Sequence, residues 1–177
     1  METRNLAELY DAAPMEWTDV RSRLDAGFDL EPGGEGGPGR HSTWLSTLNE
    51  DGSPHVTAVG ANWVDGSFYF ETGPHTRKGR NLARDPRCAL SLSLRELDLT
   101  VEGRAETVTD PATVARLAAS WADGGWPCEV DESGVALTAP FSAQSAGRPP
   151  YNVYRIAAGS AFAVQTVEPH GATRWTF

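Results

Sequence analysis

Two Asp-Gly pairs, at residues 51–52 and 65–66, divide the stretch LSTLNEDGSPHVTAVGANWVDGSFYFET into three β-rich segments, and they constrain the fold more than any other feature of the chain. Tight turns whose twist suits paired strands need residues at positive φ, which glycine adopts without steric cost. Residues 41–48, 55–64 and 67–72 are therefore predicted to form a three-stranded antiparallel meander. Further strand-like runs follow at 87–94, 97–108, 151–167 and 172–177. Two helical runs interrupt them. One begins after Thr76 and closes at Asp85-Pro86; the other begins at Pro111, capped by Thr109 or Asp110, and stops at Gly124-Gly125. Many strands with few helices predict a mainly β chain, folded as a small barrel rather than a layered parallel sheet.

A different pattern precedes the strands. Over residues 5–28, Trp17, Val20, Leu24 and Phe28 recur at spacings of three and four, the apolar stripe of a helix. EPGGEGGPGR, 31–40, excludes regular structure. Residues 1–40 are thus expected to be a helical extension with its connector, appended to a domain over 41–177. A chain of 177 residues suits one domain with a core of its own. The segment 127–150 is a long irregular stretch, of the kind that is functional or mobile. The first residues are charged early and have no continuous apolar run, resembling neither a signal peptide nor a membrane span. That and the two cysteines, Cys88 and Cys128, fit a cytoplasmic protein whose thiols serve packing.

Charge is spread unevenly. The net charge of −9 works against non-specific binding to nucleic acid or an anionic membrane. Yet residues 73–87 hold five cations, Arg77, Lys78, Arg80, Arg84 and Arg87, against one carboxylate, Asp85, and Lys78 is the only lysine of the chain. With Thr76 as N-cap, Arg77 and Lys78 fall in the first helical turn, where the helix dipole is positive and each cation costs roughly 0.3–1 kcal/mol unless something negative compensates. Helical spacing sets Arg77, Arg80 and Arg84 on one face with Asn81 beside them, and turns Leu82 toward the core. An anion docked there would satisfy amides, dipole and side chains together, as phosphates are commonly held, and Gly73 and Gly79 would let the backbone come close. The alternative is a solvated helix neutralised by carboxylates from elsewhere in the chain. A nucleic-acid footprint is a third reading, but one turn of charge without stacking aromatics makes a poor surface for it.

FETGPHTRKGRNLARDPR, 70–87, preceded by LSTLNEDGSPHVTAV and followed by LTVEGRAETVTDP, resembles the pyridoxamine 5′-phosphate oxidase-like flavin and deazaflavin oxidoreductases of the FMN-binding split β-barrel fold. The likeness runs from about His41 to the end. It implies a six-stranded split barrel that forms a homodimer, with two cofactor sites at the subunit interface. It implies that Thr72, Thr76, Arg77, Lys78, Arg80 and Asn81 hold the cofactor phosphate, with His55, Val56, Thr57 and Val59 nearest an isoalloxazine-type ring. Late residues of the partner subunit, here Arg174 and Trp175, are implied to complete the site, although a tryptophan so placed is equally a plain core residue. The substrate-phosphate residues of the true pyridoxamine phosphate oxidases are not found, and TRKGRNLARDPR looks more like the branch using coenzyme F420. The negatively charged tail of that coenzyme would suit Arg84 and Arg87; FMN fits as well.

The activity so implied is hydride transfer between reduced coenzyme F420 or FMN and a small organic substrate. The cofactor performs the chemistry, so no catalytic side chain is required. A non-catalytic carrier or sensor of flavin, deazaflavin or haem is the alternative. Other chemistries lack a starting point: His41, His55, His75 and His170 are scattered, without the paired spacing of a metal site. SAQSAG, 142–147, is not a nucleophile elbow, and EVDES, 129–133, lacks the glycine and distal glutamate of a calcium loop.

Overall fold

The computed structural model describes residues 1–27, 43–94, 96–142 and 144–177; Phe28, the connector over 31–40 and His41 lie outside the described residues. The chain opens with a strand, β1 (Glu2–Asn5), and its first α-helix, α1, covers only Trp17–Asp25. The helix expected over 5–28 is therefore shorter. β1 pairs antiparallel with the last strand of the chain, Thr3 opposite Trp175. Val20 and Leu24 of α1 enter the main core, and Trp17 packs on Trp175 with ring centroids 5.3 Å apart. Residues expected to form an appendage are thus built into the sheet, through partners too distant in sequence for local periodicity to reveal.

Both Asp-Gly turns form. β2 (Thr43–Leu48) and β3 (Pro54–Val59) make the first hairpin, with Gly52 at φ 80° and its amide donating to the Asn49 carbonyl at 2.9 Å. β4 (Asn62–Val64) and β5 (Ser67–Thr72) make the second, with Asp65 and Gly66 at φ 49° and 78°, as a two-residue turn requires. The meander is nevertheless broken in the middle. Among the described residues β3 pairs only with β2, so the run 55–64 is two strands rather than one. At the break, the Gly60 carbonyl accepts from Trp121 Nε1 at 3.3 Å, and Asn62 Nδ2 donates to Ser120 Oγ at 3.1 Å.

The later elements follow the sequence more closely. α2 (Arg77–Arg84) leads into the β6–β7 pair (Arg87–Leu94 and Leu97–Thr107), and α3 (Pro111–Asp123) starts with Asp110 accepting from the Thr113 amide at 2.8 Å. The stretch 127–150 is less irregular than expected: it holds a small hairpin, β8 (Glu129–Val130) with β9 (Ala136–Thr138), and a 3-10 turn at Gln144–Ala146. β10 (Tyr151–Gln165) and β11 (Gly171–Thr176) complete the chain. Among the described residues eleven strands join one antiparallel sheet with the main order β1-β11-β10-β7-β6-β2-β3, and β5 and β9 pair along the start of β10. The mainly β class expected from the sequence is what forms. No described helix is long and apolar enough to cross a membrane.

β5 separates two cores. Phe68 and Phe70 enter the larger, with Leu45, Leu90, Val101 and Trp175; Tyr69 enters the smaller, with Leu117, Trp121, Leu137 and Tyr151. A strand covered on both faces reads as a continuous apolar run, and alternation puts Glu71 on the Tyr69 side. Both cysteines are buried, and burial pushes their thiols up to about 12 at Cys88 and about 11 at Cys128, as suits packing residues. The outer face of the sheet carries a row of register partners, Ala58, Trp44, Ser91, Thr100, Phe162 and Arg174. Trp44 on that row and Val56 beside it are more than half exposed, at 52% and 54%.

Candidate anion-binding site at the tip of α2

α2 begins where β5 ends, and its cap is cross-braced. Thr76 is extended, its Oγ1 accepts from the Gly79 amide at 3.1 Å, and its hydroxyl donates to the Gly73 carbonyl at 2.8 Å. Thr72 Oγ1 lies 3.0 Å from Thr76 Oγ1. A hydroxyl has one proton to give, so Thr72 is the donor of that pair. The amides of Arg77 and Lys78 have no acceptor among the described residues.

The cations of this helix are mostly unmatched by acids. Arg87 pairs with Asp85 at 2.6 Å. Arg80 Nη1 donates to the His75 carbonyl at 2.6 Å and Arg84 Nη2 to the Leu48 carbonyl, both neutral acceptors. Among the described residues no carboxylate forms an ion pair with Arg77, Lys78, Arg80 or Arg84. Acids of the chain act on two of them only without contact, Glu71 on Lys78 and Asp51 on Arg84. Positive charge reaches β3 as well: burial, then Arg77, then Lys78 hold the His55 imidazole below its ordinary value.

Lys78 does not share the exposed face of the arginines. It is only 2% exposed, and its Nζ donates to the Ser145 carbonyl at 2.5 Å. Glu71, a residue sequence reasoning passed over, is buried nearby: burial pushes its carboxyl up to about 7, with Lys78 pulling the other way. The one signal available was an acid inside the otherwise apolar run SFYFET.

The other expected site residues divide. Thr72 and Asn81 are buried and committed to the protein, Asn81 Nδ2 donating to Thr47 Oγ1 at 3.1 Å and Asn49 Oδ1 at 3.3 Å. These two position the tip of α2 rather than face outward from it. On β3, His55, Thr57 and Val59 share one face and Val56 points to the other, with Val59 in the core. The four residues named for the ring therefore do not share one face of β3, whose other backbone edge is unpaired among the described residues. Arg174 sits on the outer face of the sheet, its Nη2 2.7 Å from Glu102 Oε2. The expectation for Trp175 is corrected: its side chain is 0% exposed and packed in its own core, so it is not available to a neighbouring subunit.

Gly73 and Gly79 permit close approach, but of the chain itself. A Cβ on Gly73 would lie 2.7 Å from the Ala146 carbonyl oxygen, and one on Gly79 would lie 2.5 Å from the Gly73 carbonyl oxygen. The Gly73 amide donates to Ala146 at 2.9 Å, so the turn 144–146 rests on the mouth of the helix and supplies carbonyl acceptors at Gly73 and Lys78. Cavities of about 230, 310 and 330 Å³ open elsewhere, beside Trp17 and Trp63, beside Ser46 and Cys88, and beside Glu106 and Asp110; none is lined by Arg77, Lys78 or Arg80. Unmatched cations and two open amides at one helix tip suit a phosphate group.

The pyridoxamine 5′-phosphate oxidase family matches residues 38–165, most of the chain. A pyridoxine/pyridoxamine 5′-phosphate oxidase of Cupriavidus necator is 36% identical over 84 residues, 46% of this chain and 40% of that relative, so the match spans less than half of the relative's length. Among solved structures, PhzG from Burkholderia lata, in complex with tetrahydrophenazine-1-carboxylic acid, aligns over 95% of this chain and 90% of its own with a TM-score of 0.61 at 17% identity. A conserved hypothetical protein from Mycobacterium tuberculosis aligns over 86% of each chain with a TM-score of 0.60 at 23% identity. These two show the fold. With a match that runs from before β2 to the end of β10, the chain belongs to the pyridoxamine 5′-phosphate oxidase family.

Proposed function

We propose that this protein binds FMN or coenzyme F420 through its phosphate at the tip of α2 and works as an oxidoreductase on a small organic substrate, as a homodimer. The observation that carries the reading is that the first turn of α2 holds two cations, Arg77 and Lys78, and that among the described residues no carboxylate is in ion-pair contact with either. The bound cofactor would supply hydride transfer at its ring. Arg77 and Lys78 would neutralise the phosphate, with Arg80 and the amides of the first turn behind them. The free edge of β3 would offer backbone groups to the ring, beside His55, whose imidazole burial and then Arg77 and Lys78 hold below its ordinary value.

A second copy is supported by the exposed outer face, where Trp44 and Val56 lie bare on a sheet whose opposite face is core. Arg174, on that same face, would be the late residue that meets the partner.

The reading is tested by titrating the purified protein with FMN and with coenzyme F420 and following cofactor fluorescence. Saturable quenching by one of them, at micromolar concentration or below, is expected. Failure of both to bind overturns the reading, and binding without acceptor-specific oxidation of the reduced form would make the protein a carrier.

A further inference from the structure

Glu71 and Lys78 are an unusual pair of buried charges. Glu71 is 7% exposed, and its Oε2 has no hydrogen-bond partner. Lys78 is more enclosed still, and its Nζ is given to the Ser145 carbonyl rather than to the carboxylate. A buried carboxylate left without partners is costly, and what relieves the cost is a proton or a cation in contact. Lys78 is near enough to favour the ionised acid, while its Nζ donates to a carbonyl of the turn 144–146. The lysine thus belongs to the first turn of α2 and also acts on the buried acid.

We propose that Glu71 is a positioning residue for Lys78, and that a phosphate group docking at the tip of α2 competes with Glu71 for that lysine, so that binding is matched by uptake of a proton from solvent onto the Glu71 carboxylate. This rests on the phosphate-binding reading above and adds the proton to it. Two effects act in the same direction. The incoming dianion raises the negative potential around Glu71, and Lys78, drawn to the phosphate, gives less support to the ionised acid. Burial already brings this carboxyl up to about 7, so the exchange falls within the neutral range.

The other groups around the pair do not replace it as the proton acceptor. Tyr151 on β10 and Cys128 between α3 and β8 are pushed up by burial first and by the Glu71 charge after it, so they stay protonated through neutral pH. Glu129 acts on Cys128 from β8. His55 on β3 faces Arg77 and Lys78 and is lowered; a bound anion would raise it, so its own uptake belongs to more acid solution.

The test is calorimetry of FMN and of coenzyme F420 binding at pH 8, repeated in buffers of different ionisation enthalpy, where the phosphate monoester is fully ionised and His55 is neutral. The wild type should take up most of one proton per ligand, and its affinity should fall by up to about tenfold between pH 7 and pH 8. Glu71→Gln, checked for folding by circular dichroism, should bind without proton uptake and lose that alkaline decline. Lys78→Met, in which the acid has no lysine to yield, should also lose the uptake while binding more weakly. Binding with no buffer-dependent heat in the wild type, or uptake that survives in Glu71→Gln, overturns this inference alone. Absence of binding by either ligand overturns it together with the proposed function.

Discussion

α2 and α3 begin alike and are balanced differently. Each follows a strand, and each is capped by a side chain that accepts from the amide three residues on, Thr76 from Gly79 and Asp110 from Thr113. At α3 the cap is a carboxylate, the first position is proline, and no cation follows in the first turn. The positive end of that helix meets a negative group from its own chain, and Val114, Leu117 and Trp121 anchor it in the smaller core. At α2 the cap is a neutral hydroxyl, and the first turn adds Arg77 and Lys78 to a dipole that is already positive. One helix tip meets a carboxylate of its own cap. The other has no carboxylate in contact among the described residues, and the contrast is what motivates the anion proposed for α2.

The acids nearest the two tips offer the largest separation. Glu71 has a raised folded value, about 7 against 4.5 for the free group. Its stabilising contribution is fully present below the unfolded value and is lost as pH rises through the folded one. The wild type should therefore lose up to roughly 3 kcal/mol relative to Glu71→Gln between pH 4.5 and pH 7.5, measured by urea unfolding at each pH. Asp110, lowered by its bonds to Thr113, runs the other way: its contribution is present in neutral solution and lost only as pH falls through its folded value. A wild type and a Glu71→Gln variant of equal stability at every pH would remove the distinction on the α2 side.

Charge reversal addresses the tips themselves. Arg77→Glu with Arg80→Glu should weaken FMN and coenzyme F420 by about a hundredfold, two lost charge-assisted contacts, while the melting temperature holds or rises because the dipole gains an anion. A fall in melting temperature that matches the lost affinity would mean that these arginines support the fold after all. The smallest effect is expected at α3. Asp110→Ala should lower the melting temperature by about 2–4 °C and leave ligand affinity untouched, read from the same melts and titrations. A loss of affinity there would show that the two tips are coupled.

What the sequence disclosed of the fold was its local chemistry. Asp65-Gly66 fixes a turn by its own φ angles and Thr76 caps by a bond to a residue three away, so both were legible; for α3 the sequence left Thr109 and Asp110 open, and Asp110 is the one that caps. β1 was not, because its partner is β11 at the other end of the chain. The break between β3 and β4 was not, because Trp121 and Ser120 of α3 hold it. At the candidate site the crowd of cations was plain, but its division was overlooked. Lys78 stands four residues before Leu82 and so shares its inward face, a signal present in the spacing alone. That Arg80 and Arg84 would meet carbonyls, and that Glu71 would come near enough to Lys78 to feel its charge, depended on loops and strand faces that only the folded chain brings together.

β3 lies at the end of the sheet order with one side of its backbone unpaired among the described residues. Whatever settles along such a border is gripped by peptide groups, which every residue type supplies in the same positions. Exchanging Val56 or Thr57 for another strand-forming residue would then reshape the walls around a guest without withdrawing the hydrogen bonds that seat it, leaving selectivity free to change while the grip is kept.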